Sequence, residues 1–321
     1  MASLAPVTFV TVAEAAALLA RGRIVAFPTE TVYGLGAHAF DQAAVVHVFE
    51  TKGRPKFDPL IVHVDSVERA WSLTRCVPEV AQRLAERFWP GPLTMVLEKD
   101  PRVPDIVTAG LDTVALRVPS HPTALALLQA FGGPIAAPSA NRFGRVSPTS
   151  AQHVLDDLGG ESISVLDGGI CQAGIESTIV ACFGPKPRLL RSGATSLESL
   201  KEVLGTLSID TAPTPRPEAP GQLATHYAPK TPLILDDSGL VSRERSGRWG
   251  LLRFQSGPDS ESYAAVETLS PTGDLREAAA SLFAALRRLD ASSLDGIVAE
   301  RVPEQGLGRA INDRLQRASH D

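Results

Sequence analysis

The chain has 321 residues, 44 % of them hydrophobic and 21 % charged, which is apolar enough for one large or two ordinary domains and excludes a disordered chain. Thirty-six acids against 31 bases give a net charge of −5, which argues against a globally basic nucleic-acid binder and leaves only a local basic patch. There is no run of about 18 apolar residues to span a membrane and no export signal at the N-terminus, and the widely spaced Cys76, Cys171 and Cys182 make neither a disulfide framework nor a zinc knuckle, so a reducing, cytoplasmic home is expected.

Along the chain, Thr11 caps a predicted helix to about residue 21, and residues 23–27 read as a buried strand stopped by Pro28. Asp41 caps a helix to about 50, followed by a strand at 60–64 and a helix at 79–88 that breaks at Trp89-Pro90-Gly91-Pro92. Strands are expected at 93–97, 113–118 and 134–137, with a helix at 123–131 stopped by Gly132-Gly133 and another at 149–158. Strands at 164–166, 178–182 and 188–190 and a helix at 196–204 complete a first block without strict strand–helix alternation. It reads as an α/β domain with a mixed, twisted sheet over residues 1–204.

Residues 205–231 form a Pro-rich linker, with Pro213, Pro215, Pro217 and Pro220 among Thr, Ala and Glu. A second periodic block at 232–321 contains PLIL, WGLLRF, YAAVETL, a helix at 274–289, the strand GIVAE and a last helix at 310–318. It reads as a small, open, Rossmann-like α/β domain.

The sequence has no phosphate loop, no G-x-G-x-x-G, no H-E-x-x-H, no paired C-x-x-C and no G-x-S-x-G. Its polar clusters sit instead at strand ends, where ligands collect in α/β sheets. Pro28 to Gly36 offers the hydroxyls of Thr31 and Tyr33 with two glycines. Lys52, Arg54 and Lys56, stiffened by Pro55 and Pro59, make either an anion site or a helix end with dipole-complementing bases. His63 lies in the next strand, and Arg117 closes an apolar strand, where burial would require an anionic partner. Ser139 and Asn141 follow a run of small residues, and Arg142, Arg145 and Ser147 come next. Ser177 and Thr178 open one more strand, and Arg191 ends another. Taken together, these segments are the expected lining of a cleft for a small polyanion. The bias to 25 arginines over six lysines suits bidentate anion recognition, although arginine-rich genomes produce the same bias.

The segments PTETVYGLG, KGRPKFDPLIVHV, WPGPLT, AGLDTVALRVP, PIAAPSAN, ESTIV and LLRSG occur in the order seen in the YrdC/Sua5 family. His226-Tyr227-Ala228-Pro229 after a Pro-rich linker, followed by a small α/β domain, resembles the long Sua5 form. The resemblance implies a YrdC-like first domain and a Sua5-type C-terminal domain. It further implies a nucleotidyltransferase that makes L-threonylcarbamoyl-adenylate and pyrophosphate from L-threonine, bicarbonate and ATP with Mg²⁺. The product would pass to a tRNA-modifying threonylcarbamoyl transferase complex that builds the N6-threonylcarbamoyladenosine of tRNA position 37, with at most weak RNA contact. By resemblance, Lys52 and Arg54 are catalytic, and Thr31, His63, Arg117, Ala137 and Ser177 contact threonine. Arg54, Asp58, Thr113, Ser139, Asn141, Ser147, Arg191 and Tyr227 hold ATP, and metal ligands are not implied. Asp58 stands where many members carry Asn, so its carboxylate repels phosphate unless it is paired with Arg54 or Lys56 or bridged by Mg²⁺; Ser192 replaces a common Pro. Two other readings are a carbamoyl-adenylate-forming domain, which usually travels with extra partner domains, and an RNA-binding module, which the charge and the 5 % aromatic content disfavour.

Overall fold

The computed structural model describes residues 8–161, 163–215, 217–223, 226–236, 246–257 and 262–319. Positions 216, 224 and 225 of the expected linker lie outside the described residues.

In the first block the elements run β1 (Thr8–Phe9), α1 (Val12–Ala20), β2 (Val25–Phe27), β3 (Gly34–His38), α2 (Gln42–Lys52), β4 (Ile61–His63), α3 (Val67–Trp71) and α4 (Glu79–Phe88). They continue through β5 (Leu93–Glu98), α5 (Asp105–Thr108), β6 (Thr113–Arg117), α6 (Pro122–Phe131), β7 (Ile135–Ala136) and α7 (Ala151–Leu158). The block ends with β8 (Ser164–Val165), β9 (Thr178–Ala181), β10 (Arg188–Arg191), α8 (Leu197–Leu204) and β11 (Ser208–Ile209). The helix ends follow local chemistry. Thr11 and Glu14 form a reciprocal capping box on α1, Asp41 accepts the first N–H groups of α2, and Gly132 closes α6 in the left-handed region.

The strands form one mixed sheet in the order β1-β8-β2-β3-β7-β4-β6-β5-β9-β10-β11. Its outermost strand, β11, pairs in parallel with β10 and lies inside the segment read as linker. The short β1, α3 and α5 were also not expected from the sequence. The central β3 falls where the sequence shows a polar, glycine-containing cluster and no strand signal, since two of its five residues are glycine. Packing explains that composition. A Cβ on Gly36 would sit 2.7 Å from Ile135 and 2.8 Å from Phe27, so this strand accepts only glycine there.

One face of the sheet is covered throughout by α2, α4, α7 and α8, through residues such as Val48, Leu84, Val154 and Leu200. On the opposite face, α1 and α6 cover only the half around β2 and β7, through Leu19, Leu127 and Leu128 against Phe27 and Ile135. The other half, over β4, β6, β5 and β9, is left to the linker. There Ala219 packs on Ile61, Ala115 and Ile179.

The second block comprises β12 (Leu233–Asp236), β13 (Trp249–Arg253), β14 (Ala265–Thr268), α9 (Leu275–Asp290), β15 (Gly296–Glu300) and α10 (Gly308–Ala318). Its all-parallel sheet, in the order β12-β15-β13-β14, is the open α/β architecture expected from the sequence. Its core extends into the first block, since Val32, Val146 and Ile175 join Leu282, Phe283 and Leu286. No helix among the described residues is long and apolar enough to cross a membrane.

Candidate functional site

Strand alternation builds the floor of a cavity on the half-face that α1 and α6 leave open. Val62, Met95, Leu116 and Val180 point into the main core. Their neighbours therefore face the cavity side. Register places Ile61 beside Ala115 and His63 beside Arg117. His63, Arg117, Thr94 and Ser177 make a polar band at the strand ends, with the Thr94 and Ser177 hydroxyls 2.8 Å apart. Ile61 lines the cavity beside it, and Val96, Ala115, Ile179 and Leu190 continue the same face as a buried apolar cluster covered by Ala219 of the linker. Thr113 shares the face of Ala115 and Arg117, at the far end of β6 and about 13 Å from Arg117 along the strand. It does not line the cavity.

Three arginines line this cavity. Arg117 Nη2 lies 2.7 Å from Glu30 Oε1, Nη1 donates to Thr31 Oγ1 at 2.9 Å, and Nε donates to the Gly91 carbonyl. Arg54 Nη2 is 2.8 Å from Asp58 Oδ2 and donates to the Pro59 carbonyl. The departure at Asp58 is thus answered by its own arginine. The carboxylate is fully buried and behind the lining, and burial pushes its pKa up against the pull of Arg54. Arg191 donates from Nε and Nη2 to the Ser177 carbonyl and from Nη1 to the Pro220 carbonyl. It forms no ion pair among the described residues. A buried cation with only neutral partners beside a cavity is a site for an anion.

Thr31, His63, Ala137, Ser139, Ser177 and Tyr227 also line the cavity. Burial, and then Arg117, push the His63 imidazole down to about 3. It is therefore neutral at ordinary pH, and its Nδ1 has no hydrogen-bond partner among the described residues.

Lys52, Asn141 and Ser147 do not line the cavity. Lys52 Nζ donates to the carbonyls of Ser139 and Asn141. Asn141 Nδ2 donates to the carbonyls of Arg142 and Arg145, and Ser147 Oγ donates to Glu176 Oε1. These three polar groups, expected at the ligands, instead fix the 138–147 loop from behind. Burial, and then the Arg54 charge, push the Lys52 amine well below its ordinary pKa.

The roof comes from the linker, as Pro220, Gly221, His226 and Tyr227. Tyr227 adopts a left-handed backbone, φ +65°, and its ring stacks on Phe283 of α9 at 5.6 Å. The Ala228 N–H donates to the Gly144 carbonyl, which ties the roof to the 142–145 turn.

Sequence reasoning did not single out Glu30, Thr94, Glu176 or Arg314. Glu30 orients Arg117, and Glu176 is the carboxylate in the cavity lining, held by Ser147 and by Arg314 from α10. An acid at the end of an apolar segment, as in both PTE and GIES, was the available signal for the two glutamates.

A family model described as "Telomere recombination", the Sua5/YciO/YrdC domain, matches residues 17–193. A second, described as "Threonylcarbamoyl-AMP synthase, C-terminal domain", matches residues 195–320. The chain is 43 % identical over 320 residues to the threonylcarbamoyl-AMP synthase of Pyrococcus abyssi, covering 95 % of this chain and 93 % of that protein. It is 43 % identical over 323 residues to the threonylcarbamoyl-AMP synthase of Bacillus subtilis, covering 96 % and 92 %. The crystal structure of P. abyssi Sua5 complexed with L-threonine superposes with a TM-score of 0.89, covering 96 % of this chain and 94 % of that one. With both domains matched over nearly their full extent, the chain belongs to the Sua5/YciO/YrdC family, in the two-domain form of the threonylcarbamoyl-AMP synthases.

Proposed function

We propose that this protein is an L-threonylcarbamoyladenylate synthase, a nucleotidyltransferase that condenses L-threonine, bicarbonate and ATP and releases pyrophosphate. The observation that carries the reading is the convergence of Arg54, Arg117 and Arg191 on one cavity that Thr31, His63, Ser139 and Ser177 also line. The relative crystallised with L-threonine supports it. Arg117, oriented by Glu30 and Thr31, serves as the fork for the threonine carboxylate. Neutral His63 and the Ser177 hydroxyl supply hydrogen-bonding groups at the same end. Arg191 and Arg54 compensate phosphate charge as it moves to the leaving group. The apolar face under Ala219 accepts the adenine once the linker moves aside, with Thr113 beyond it. The threonine amine, once neutral, adds to CO₂, or to bicarbonate with loss of water, and the carbamate oxygen attacks the α-phosphorus as pyrophosphate leaves. The enzyme's task is to hold three anions close and dry under the linker.

Mg²⁺ enters as part of the ATP substrate. Glu176 and Asp58 are already held by Arg314 and Arg54, and no cluster of three His, Cys, Asp or Glu stands ready for a metal among the described residues. The triphosphate therefore carries the ion with its waters. The product is a reactive mixed anhydride, chemically suited to a downstream transferase that modifies tRNA.

The test is pyrophosphate release by the full chain, with threonine and bicarbonate omitted in turn. Release should require both. Release that continues without threonine would rule out this reaction.

A further inference from the structure

We infer that Arg314, on the last helix of the C-terminal domain, is a positioning residue for the reaction, acting through three segments that line the cavity. The inference rests on the synthase reading above. Arg314 does not line the cavity; it is fully buried and touches two residues that do, Glu176 and Tyr227, and the neighbour of a third, Arg191. Its Nε lies 3.1 Å from Glu176 Oε2, next to Ser177. Its Nη1 donates to the Ser192 carbonyl at 2.5 Å, next to Arg191. Its guanidinium stands over the Tyr227 ring, 5.3 Å from the centroid. Asp313 Oδ2, 3.0 Å from Nη1, holds the group from its own helix.

The same helix turn also grips the linker. Arg317 pairs with Asp313 Oδ1 at 3.0 Å, donates to the carbonyls of Leu223 and Thr211, and accepts the His226 N–H on its own carbonyl. α10 thus fixes floor and roof together, with Arg314 at the junction. Two other inter-domain ion pairs stand among the described residues. Arg287 of α9 meets Asp157 of α7 at 2.7 Å and donates to the Val146 carbonyl, with neither residue in the cavity lining. Arg309 meets Glu198 at 2.9 Å with both side chains partly exposed, and neither residue lines the cavity. A domain clip needs only such pairs. A fully buried arginine spanning a carboxylate, a carbonyl and an aromatic face holds a geometry that lysine cannot reproduce.

The test compares Arg314→Lys, the double variant R314M/E176Q and the control Arg309→Ala in the full chain. The double variant removes both buried charges, so its fold is spared an unpaired ion. Thermal midpoints, pyrophosphate-release kinetics and hydrogen exchange of residues 217–223 with ATP and threonine are measured. Arg314→Lys and the double variant should keep midpoints within about 5 °C of the parent. Their kcat/KM should fall about 30- to 100-fold, and linker exchange with substrates present should be faster. Arg309→Ala should stay within about twofold. Parental kinetics in Arg314→Lys, or recovery of both midpoint and turnover in the double variant, would overturn the inference by reducing Arg314 to charge compensation. Failure of both variants to fold would also count against it, since Arg314 would then serve the fold. If the parent releases pyrophosphate without threonine, the reaction is wrong, and the linker-exchange comparison alone decides the role of Arg314.

Discussion

Glu30 Oε1 sits 2.7 Å behind the Arg117 guanidinium, so the cation facing the cavity is aimed by a buried carboxylate whose second oxygen accepts the Ser120 N–H. Replacing Glu30 with Gln keeps the shape and removes the charge. Arg117 is then a buried cation with neutral partners only. The expected outcome is a threonine KM raised about tenfold, with stability lowered by about 3 kcal/mol. Titrating threonine against pyrophosphate release, alongside denaturant unfolding, checks both. An unchanged threonine KM would leave Glu30 a purely structural ion-pair partner.

Lys52 acts on the cavity through the backbone of Ser139 and Asn141. Lys52→Ala frees that loop, and a displacement of about 1 Å at Ser139 is enough to lower turnover about a hundredfold. The amine makes no ion pair among the described residues, and its loss costs the fold about 1–3 kcal/mol for the two carbonyls left without it. Near-normal pyrophosphate release from Lys52→Ala would refute the clamp.

Acid should destabilise this protein through its buried imidazoles. His63 is pushed down to about 3 by burial and Arg117. His226 is pushed well below its ordinary value by burial, then by Arg54 and Lys52. In the unfolded chain both take up a proton near pH 6.5, while in the folded state both stay neutral. Proton uptake therefore favours unfolding as pH falls below about 6.5, by up to about 1.4 kcal/mol per pH unit for each group, and the loss continues toward the folded pKa. Thermal midpoints should decline between pH 7 and 5, with a shallower decline in His63→Gln. A flat parental profile over that range would contradict the buried, neutral assignment.

Which parts of this architecture were readable beforehand follows from the physics of each signal. Apolar runs such as LTMVL and amphipathic helices such as residues 79–88 stand out because burial alone specifies them. β3 did not stand out, because close contact with Phe27 and Ile135 demands glycine where strand propensity demands bulk. Arg117 and Arg191 were found because an arginine ending an apolar strand is conspicuous. Arg314 was not, since an arginine on an amphipathic helix looks like a solvated face until a second domain buries it. Lys52 and Arg54 are two residues apart, which made them look like one anion site. The left-handed turn at Gly53 sends one behind the loop and the other to the cavity.

The roof is best probed at Gly221, whose backbone is left-handed at φ +87°. A Cβ there would lie 2.9 Å from Arg191 Cδ and 3.0 Å from Tyr227 Oη. Both are side-chain atoms, so Gly221→Ala pushes the tyrosine and the arginine while sparing the sheet. The backbone cost is about 1–2 kcal/mol. Gly205 supplies the control, because its φ is +70° and a Cβ on it meets nothing within 4 Å. Gly205→Ala thus carries the strain without the collision. Cutting the chain before Gly205 is a blunter probe, since it also strips β11 from β10 and Arg314 from Glu176. We expect both alanine variants to lose stability, and only Gly221→Ala to raise the KM for ATP, by about tenfold. Equal ATP kinetics in the two variants would mean that Tyr227 and Arg191 tolerate displacement and that the linker does not shape the nucleotide site.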